Sequence, residues 1–234
     1  MAKKAKTTSA QLRRGEAIGG LIYLPFYVML TPMLISLIGE GLRMNLSVYQ
    51  LNVITFVVNF IAIVLIFHRF LFDSLCVAGH QFWQFVQTVI LAIAFYYAMY
   101  YALALIYSLT GVNLQNANND AVTLMMRNHR VPMLICTCAL APVVEESLCR
   151  GLIFGTLRGK NRIVAYAVSM LAFAILHVWQ YVGVYTVWNL LLVSVTYLPA
   201  GLALAWAYEK SNTVWASILT HASINFITAA LLFV

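Results

Sequence analysis

Seven runs of apolar residues, each long enough to cross a bilayer, take up most of the 234-residue chain, at about 18–38, 51–67, 85–109, 131–157, 163–179, 185–208 and 214–233. A helix needs roughly 17–25 mostly apolar residues to span the hydrocarbon layer. Hydrophobic residues make up 63% of the chain and charged ones 9%, against about 45–50% and 25% in soluble domains. So much apolar surface cannot be buried in a core of this size. The expected fold is all-α, a polytopic transmembrane bundle of about seven spans.

Three sections are expected: a basic cytoplasmic tail (1–17), N-terminal transmembrane helices with an outer loop (18–130), and a helical core (131–234). The net charge of +7 does not point to nucleic acid, because five of the fourteen Lys and Arg (Lys3, Lys4, Lys6, Arg13 and Arg14) crowd the first fourteen residues. A polybasic tail at a membrane edge suits an anionic leaflet and fixes topology. With the N-terminus inside, ten Lys and Arg fall on the inner side and three on the outer, Arg150 being intramembrane. The N-terminus is therefore expected in the cytoplasm. The first apolar run carries Pro25 and Pro32 and lacks a clear small-residue cleavage site, unlike a secretory leader. The longest loop, 110–130, holds a polar patch from Asn113 to Asp120 and reads as an exposed outer loop. No loop is large enough to be a domain, so chemistry must come from helix side chains. The four cysteines (Cys76, Cys136, Cys138 and Cys149) form neither a zinc spacing nor a disulfide framework.

The fourth run contains Glu145, Glu146 and Arg150. A charge at the centre of a membrane helix costs about 2.5–3.5 kcal/mol even on lenient scales. Such groups are carried only where they satisfy one another or do chemistry. Glu146 and Arg150 stand four residues apart and share a helix face in the favourable order. Glu145 is turned away by about 100° at ~3.6 residues per turn and must look elsewhere for a partner. Pro142 removes a backbone bond just ahead of both carboxylates. Ser147, Gly151, Gly155 and Gly159 form a small-residue stripe that lets a neighbouring helix approach. In the fifth run Phe173 and His177 share a face; in the seventh, His221 and Asn225 do.

Taken singly, each group reads as helix-to-helix glue. Together, three successive runs present polar faces that a four-helix arrangement can converge. Counted from the inner edge at ~1.5 Å per residue, Glu145 lies about 19 Å deep, His177 about 22 Å and His221 about 12 Å, a spread that convergence has to close. A carboxylate beside a neutral His activates water as a general base, and His beside Asn can donate to an oxyanion. No HExxH or ExxH helix is present to favour a metal, and Cys149 sits between packing positions. Neither metal nor cofactor is expected.

At these residues the chain resembles the CPBP family of intramembrane glutamic endopeptidases, the CAAX proteases and bacteriocin-processing (Abi) enzymes. Its EExxxR, FxxxH and HxxxN/D motifs stand here as Glu145 to Arg150, Phe173 to His177 and His221 to Asn225, complete and in order within 81 residues. The resemblance covers roughly the C-terminal half. It implies a glutamate-dependent endopeptidase in which Glu145 and His177 activate water, and His221 with Asn225 binds the oxyanion. Glu146 and Arg150 would support them, and Phe173 would pack. The implied substrate is a peptide or protein presented at the membrane: a CAAX-type tail, or a bacterial peptide of bacteriocin processing, self-immunity or signalling. Short loops and a compact chain favour a bacterial inner membrane, and an N-terminal segment with no Cys-aliphatic-aliphatic-X logic favours the bacterial role. Two alternatives stay open at this point, a non-catalytic immunity or scaffold protein and a proton-coupled transporter using the Glu–His pairs as a relay.

Overall fold

The computed structural model describes residues 10–112 and 116–233, with the backbone alone for Val28. Lys3, Lys4, Lys6 and positions 113–115 of the polar patch lie outside the described residues. The described chain is helical throughout, without a strand; Val182 and Tyr185 form only an isolated bridge.

Six helices among the described residues are long and apolar enough to cross a membrane: Val48–His80 (α3), Phe82–Thr110 (α4), Arg130–Arg158, Arg162–Tyr181, Val187–Ser211 and Val214–Leu231. The first apolar run, expected as a seventh, is helical but in three pieces: α1 (Arg14–Pro25), a π-helical turn (Phe26–Leu30) and α2 (Thr31–Gly41). Pro25 and Pro32 account for the division. Neither has an N–H to donate, and Pro32 follows just after the π turn, where its absence leaves a carbonyl of the preceding turn without a helical donor.

Two departures from the expected boundaries shape the site. The second run was expected to end at position 67, but α3 continues to His80. Its far end covers the turn that leads into the last span: Thr213 Oγ1 donates to the Ser74 carbonyl at 2.7 Å and Trp215 Nε1 to that of Leu71 at 2.9 Å. Thr213 and Val214 are fully buried. The last span therefore starts recessed within the protein, which brings His221 toward the level of the other two groups. The second departure concerns the loop 110–130, which contains a helix, α5 (Ala117–Asn128). Asn116 caps it by accepting from the Asn119 N–H, Asp120 lies in its first turn and Arg127 in its last, each favoured by the helix dipole.

The span Arg130–Arg158 is the central one: 56% of its most apolar window is buried, against 11% for α4. It runs as α6 (Arg130–Ile135), a π turn (Cys136–Leu140), α7 (Ala141–Glu146), a second π stretch (Ser147–Phe154) and α8 (Gly155–Arg158). Around it lie α3, α9 (Arg162–Val178), α11 (Leu198–Ser211), α12 (Val214–Leu231) and, more lightly, α1. The expected small-residue stripe is divided among neighbours because the π stretch shifts the register. Gly151 meets the Phe70 ring of α3, where an added Cβ would come within 2.8 Å. A Cβ added at Gly155 would lie 3.1 Å from the Tyr208 hydroxyl of α11, and Gly159 faces open space.

Candidate functional site

The site is built on six residues of α7 and their two π-helical flanks. In the first π turn the Ala141 N–H bonds the Cys136 carbonyl, five residues back. Pro142, next in line, has no N–H, so the Thr137 carbonyl loses its helical donor. Asn225 supplies the replacement, its Nδ2 donating to Thr137 O at 2.8 Å. Pro142 therefore opens the backbone ahead of the carboxylates, and the orphaned carbonyl is that of Thr137, five residues back, because of the π turn.

Glu145 and Glu146 then point in different directions. Glu146 and Arg150 are both fully buried and paired, with Arg150 Nε 3.1 Å from Glu146 Oε2 and Nη1 3.2 Å from Oε1. Arg150 Nη2 donates to the Gly201 carbonyl at 3.0 Å. Its guanidinium also lies over the Phe173 ring at 4.6 Å, a cation–π contact that the packing role expected for Phe173 did not include. His221 joins this group, with Nδ1 2.9 Å from Glu146 Oε1. One buried carboxylate thus meets a guanidinium and an imidazole.

Glu145, 9% exposed, turns to the other side. Its Oε1 accepts from the Tyr27 hydroxyl at 3.2 Å, and its Oε2 faces His177 Nε2 at 3.7 Å. Oε2 is buried with no hydrogen-bond partner among the described residues. His177 Nδ1 lies 2.8 Å from the Phe173 carbonyl, which can only accept, so Nδ1 carries the proton. In the neutral ring Nε2 then presents its lone pair toward Glu145. The ring is held on two faces, stacked on Tyr197 at 4.5 Å and tilted against Phe173 at 4.6 Å.

The structure thus brings Glu145 to His177 and Glu146 to both Arg150 and His221. Asn225 lies one turn beyond His221, with one amide N–H committed to Thr137. Cys149 is fully buried in an apolar cluster with Phe173. Among the described residues no three of His, Cys, Asp and Glu gather as ligands for a metal.

Sequence reasoning missed Tyr27, Tyr197 and Glu16. Tyr197 stands at the break between α10 (Val187–Thr196) and α11, where Pro199 restarts the helix. Its hydroxyl accepts from Asn116 Nδ2 at 3.1 Å and from Asn118 Nδ2 at 3.3 Å, tying the start of α5 to the site. Glu16, placed by the sequence in the basic tail, is buried against α3, where Phe67 leaves helical geometry (φ −105°, ψ 17°). Glu16 Oε1 accepts the Phe70 N–H at 2.8 Å, and Oε2 accepts the Arg13 N–H at 2.9 Å.

No curated protein and no solved structure matches the chain. A family model does, and its matched stretch holds all three motifs together with the two groups of buried charge. Over residues 127–227 the chain matches the peptide-hydrolase family described as type II CAAX prenyl endopeptidase Rce1-like, in agreement with the resemblance carried by its EExxxR, FxxxH and HxxxN motifs.

Proposed function

We propose that the protein is an intramembrane glutamate-dependent endopeptidase in which Glu145 and His177 activate a water molecule. One observation carries this reading: the unpartnered Glu145 Oε2 faces His177 Nε2 at 3.7 Å. That separation is too long for a direct bond and suits a water about 2.8 Å from each atom. Glu145 takes a proton from the water as its oxygen attacks the peptide carbonyl carbon. The carbonyl electron pair moves onto oxygen. On collapse the C–N bond breaks and the leaving amine takes up the proton, giving one acid and one amine from one water.

The oxyanion is assigned to His221 and Asn225. With Nδ1–H held by Glu146, an imidazolium at His221 can still donate from Nε2. Asn225 keeps a second amide N–H beyond the one given to Thr137. Glu146 and Arg150 then act as the fixed mount for His221, and the C-terminal core (131–234) serves as the catalytic unit.

The substrate is a peptide bond within reach of the bilayer, either a prenylated CAAX-type tail or a bacterial peptide of bacteriocin processing, self-immunity or signalling. We place the protein in a bacterial inner membrane, in keeping with its short loops and compact chain, with its N-terminus in the cytoplasm, following the distribution of Lys and Arg. The test uses purified full-length protein in lipid vesicles with two peptide sets, prenylated CAAX-type tails and membrane-associated bacterial peptides, read by mass spectrometry. Internal cleavage in at least one set, abolished by Glu145→Gln, is expected. Vesicles that take up solute, lose that uptake with Glu145→Gln and never cut a peptide would show a transporter instead.

A further inference from the structure

The N-terminal helices lie outside the stretch that matches the endopeptidase family, yet one of them reaches the candidate catalytic carboxylate. We propose that Tyr27 is a positioning residue for Glu145, so that the site is complete only when the N-terminal helix is docked. The inference rests on the endopeptidase reading above.

The two oxygens of Glu145 have separate surroundings. Oε1 accepts from the Tyr27 hydroxyl at 3.2 Å, whereas Oε2 faces His177 at 3.7 Å. The terminal torsion of a glutamate is soft and roughly two-fold. A donor on one oxygen selects the orientation that turns the other toward His177. Among the described residues no other hydrogen-bond donor to Glu145 is present. On its own helix, Arg150 is engaged by Glu146 and the Gly201 carbonyl. From the other side, Tyr197 stacks on His177 while its hydroxyl accepts from the asparagines at the start of α5.

Tyr27 is itself held in place by a chain of polar contacts along one face of its helix. Glu16 takes the Phe70 N–H freed by the break in α3, and the Tyr23 hydroxyl donates to Asn59 Oδ1 at 2.7 Å. Positions 16, 23 and 27 follow the 7- and 4-residue spacing of one helix face. Between them Gly20 lets the helix close on α3 and the central span: an added Cβ would meet the Phe67 ring at 2.5 Å and Leu152 at 3.1 Å. Two anchored contacts and one close approach fix the height and rotation of α1. The π turn then begins at Phe26 and includes Tyr27, a backbone irregularity of the kind that recurs at functional sites. A tyrosine that only filled space would not need this register.

The test compares Tyr27→Phe with Tyr23→Phe and Glu145→Gln in vesicles, using whichever peptide the wild-type protein cleaves. Tyr27→Phe keeps the ring and removes only the donor. Misplacing a reacting group by about 1 Å can cost ~10²-fold, so kcat is expected to fall about 10- to 100-fold with KM within about twofold and the melting temperature nearly unchanged. Tyr23→Phe, which loses a bond on the same face without touching Glu145, should lower the melting temperature and lower kcat less than Tyr27→Phe does. If Tyr27→Phe keeps kcat within about twofold while Glu145→Gln is inactive, the positioning role is wrong and the endopeptidase reading stands. If Tyr27→Phe fails to fold, the hydroxyl serves stability and the proposal is overturned. If Glu145→Gln cleaves within about tenfold of wild type, the reading of Glu145 as the general base falls with it.

Discussion

Replacing Arg150 by Met tests whether the paired charges make this helix tolerable in the membrane. Met roughly matches the aliphatic stem but cannot pair with Glu146. The carboxylate, fully buried, would be left with His221 alone, and the Gly201 carbonyl would lose its donor. Breaking a buried ion pair by removing one partner costs about 3–5 kcal/mol, because the remaining charge is uncompensated. For a chain of this size each kcal/mol moves the melting temperature by roughly 2–4 °C, so a fall of about 6–20 °C is expected. Thermal unfolding of detergent-solubilised protein reads the shift directly. The double variant Glu146→Gln/Arg150→Met removes the orphaned charge and should recover much of the loss, since neutral or apolar replacements of a whole buried pair are often tolerated. A single variant melting within about 2 °C of wild type, or a double variant as unstable as the single, would refute the reasoning.

Two further outcomes follow from the packing. Asn225→Ala should cost about 1–3 kcal/mol in thermal unfolding, since the Thr137 carbonyl loses the donor that Pro142 cannot supply; as an oxyanion donor it should also lower kcat by about 10²–10³ in the vesicle assay. Gly20→Leu should destabilise by about 1–3 kcal/mol, as the added side chain has to push aside Phe67 and Leu152. If it melts like wild type, α1 is not closely docked.

Much of this was legible in the sequence because hydrocarbon leaves a polar group few options. The apolar runs at α4 and at Arg162–Tyr181 lie within a few residues of their expected bounds. The roughly 100° between Glu145 and Glu146 separated a paired carboxylate from one that must reach another helix, and the two do face opposite ways. What was hidden depends on partners distant in sequence. The recessed start of α12 follows from the length of α3, whose last turns carry Arg69 and Asp73 and so read as a loop. Glu16 looked like tail because its partner is a backbone N–H exposed only by the break at Phe67. Tyr27 had no local signal beyond lying four residues after Tyr23. Tyr197 depends on Pro199 dividing what read as one helix. The helix α5 was concealed by its asparagines, which read as turn formers until Asn116 is seen to cap.

The central claim is that two adjacent carboxylates divide their work, Glu145 taking a proton from water and Glu146 holding Arg150 and His221. The most direct measurement is kcat for Glu145→Gln beside that for Glu146→Gln, each with its melting temperature. For Glu145→Gln the account predicts a loss of about 10²–10⁴ in kcat at nearly unchanged stability, the range expected for a lost general base. For Glu146→Gln it predicts a clear fall in melting temperature, since Arg150 loses its counter-ion. A Glu145→Gln protein that cleaves within about tenfold of wild type would contradict the account.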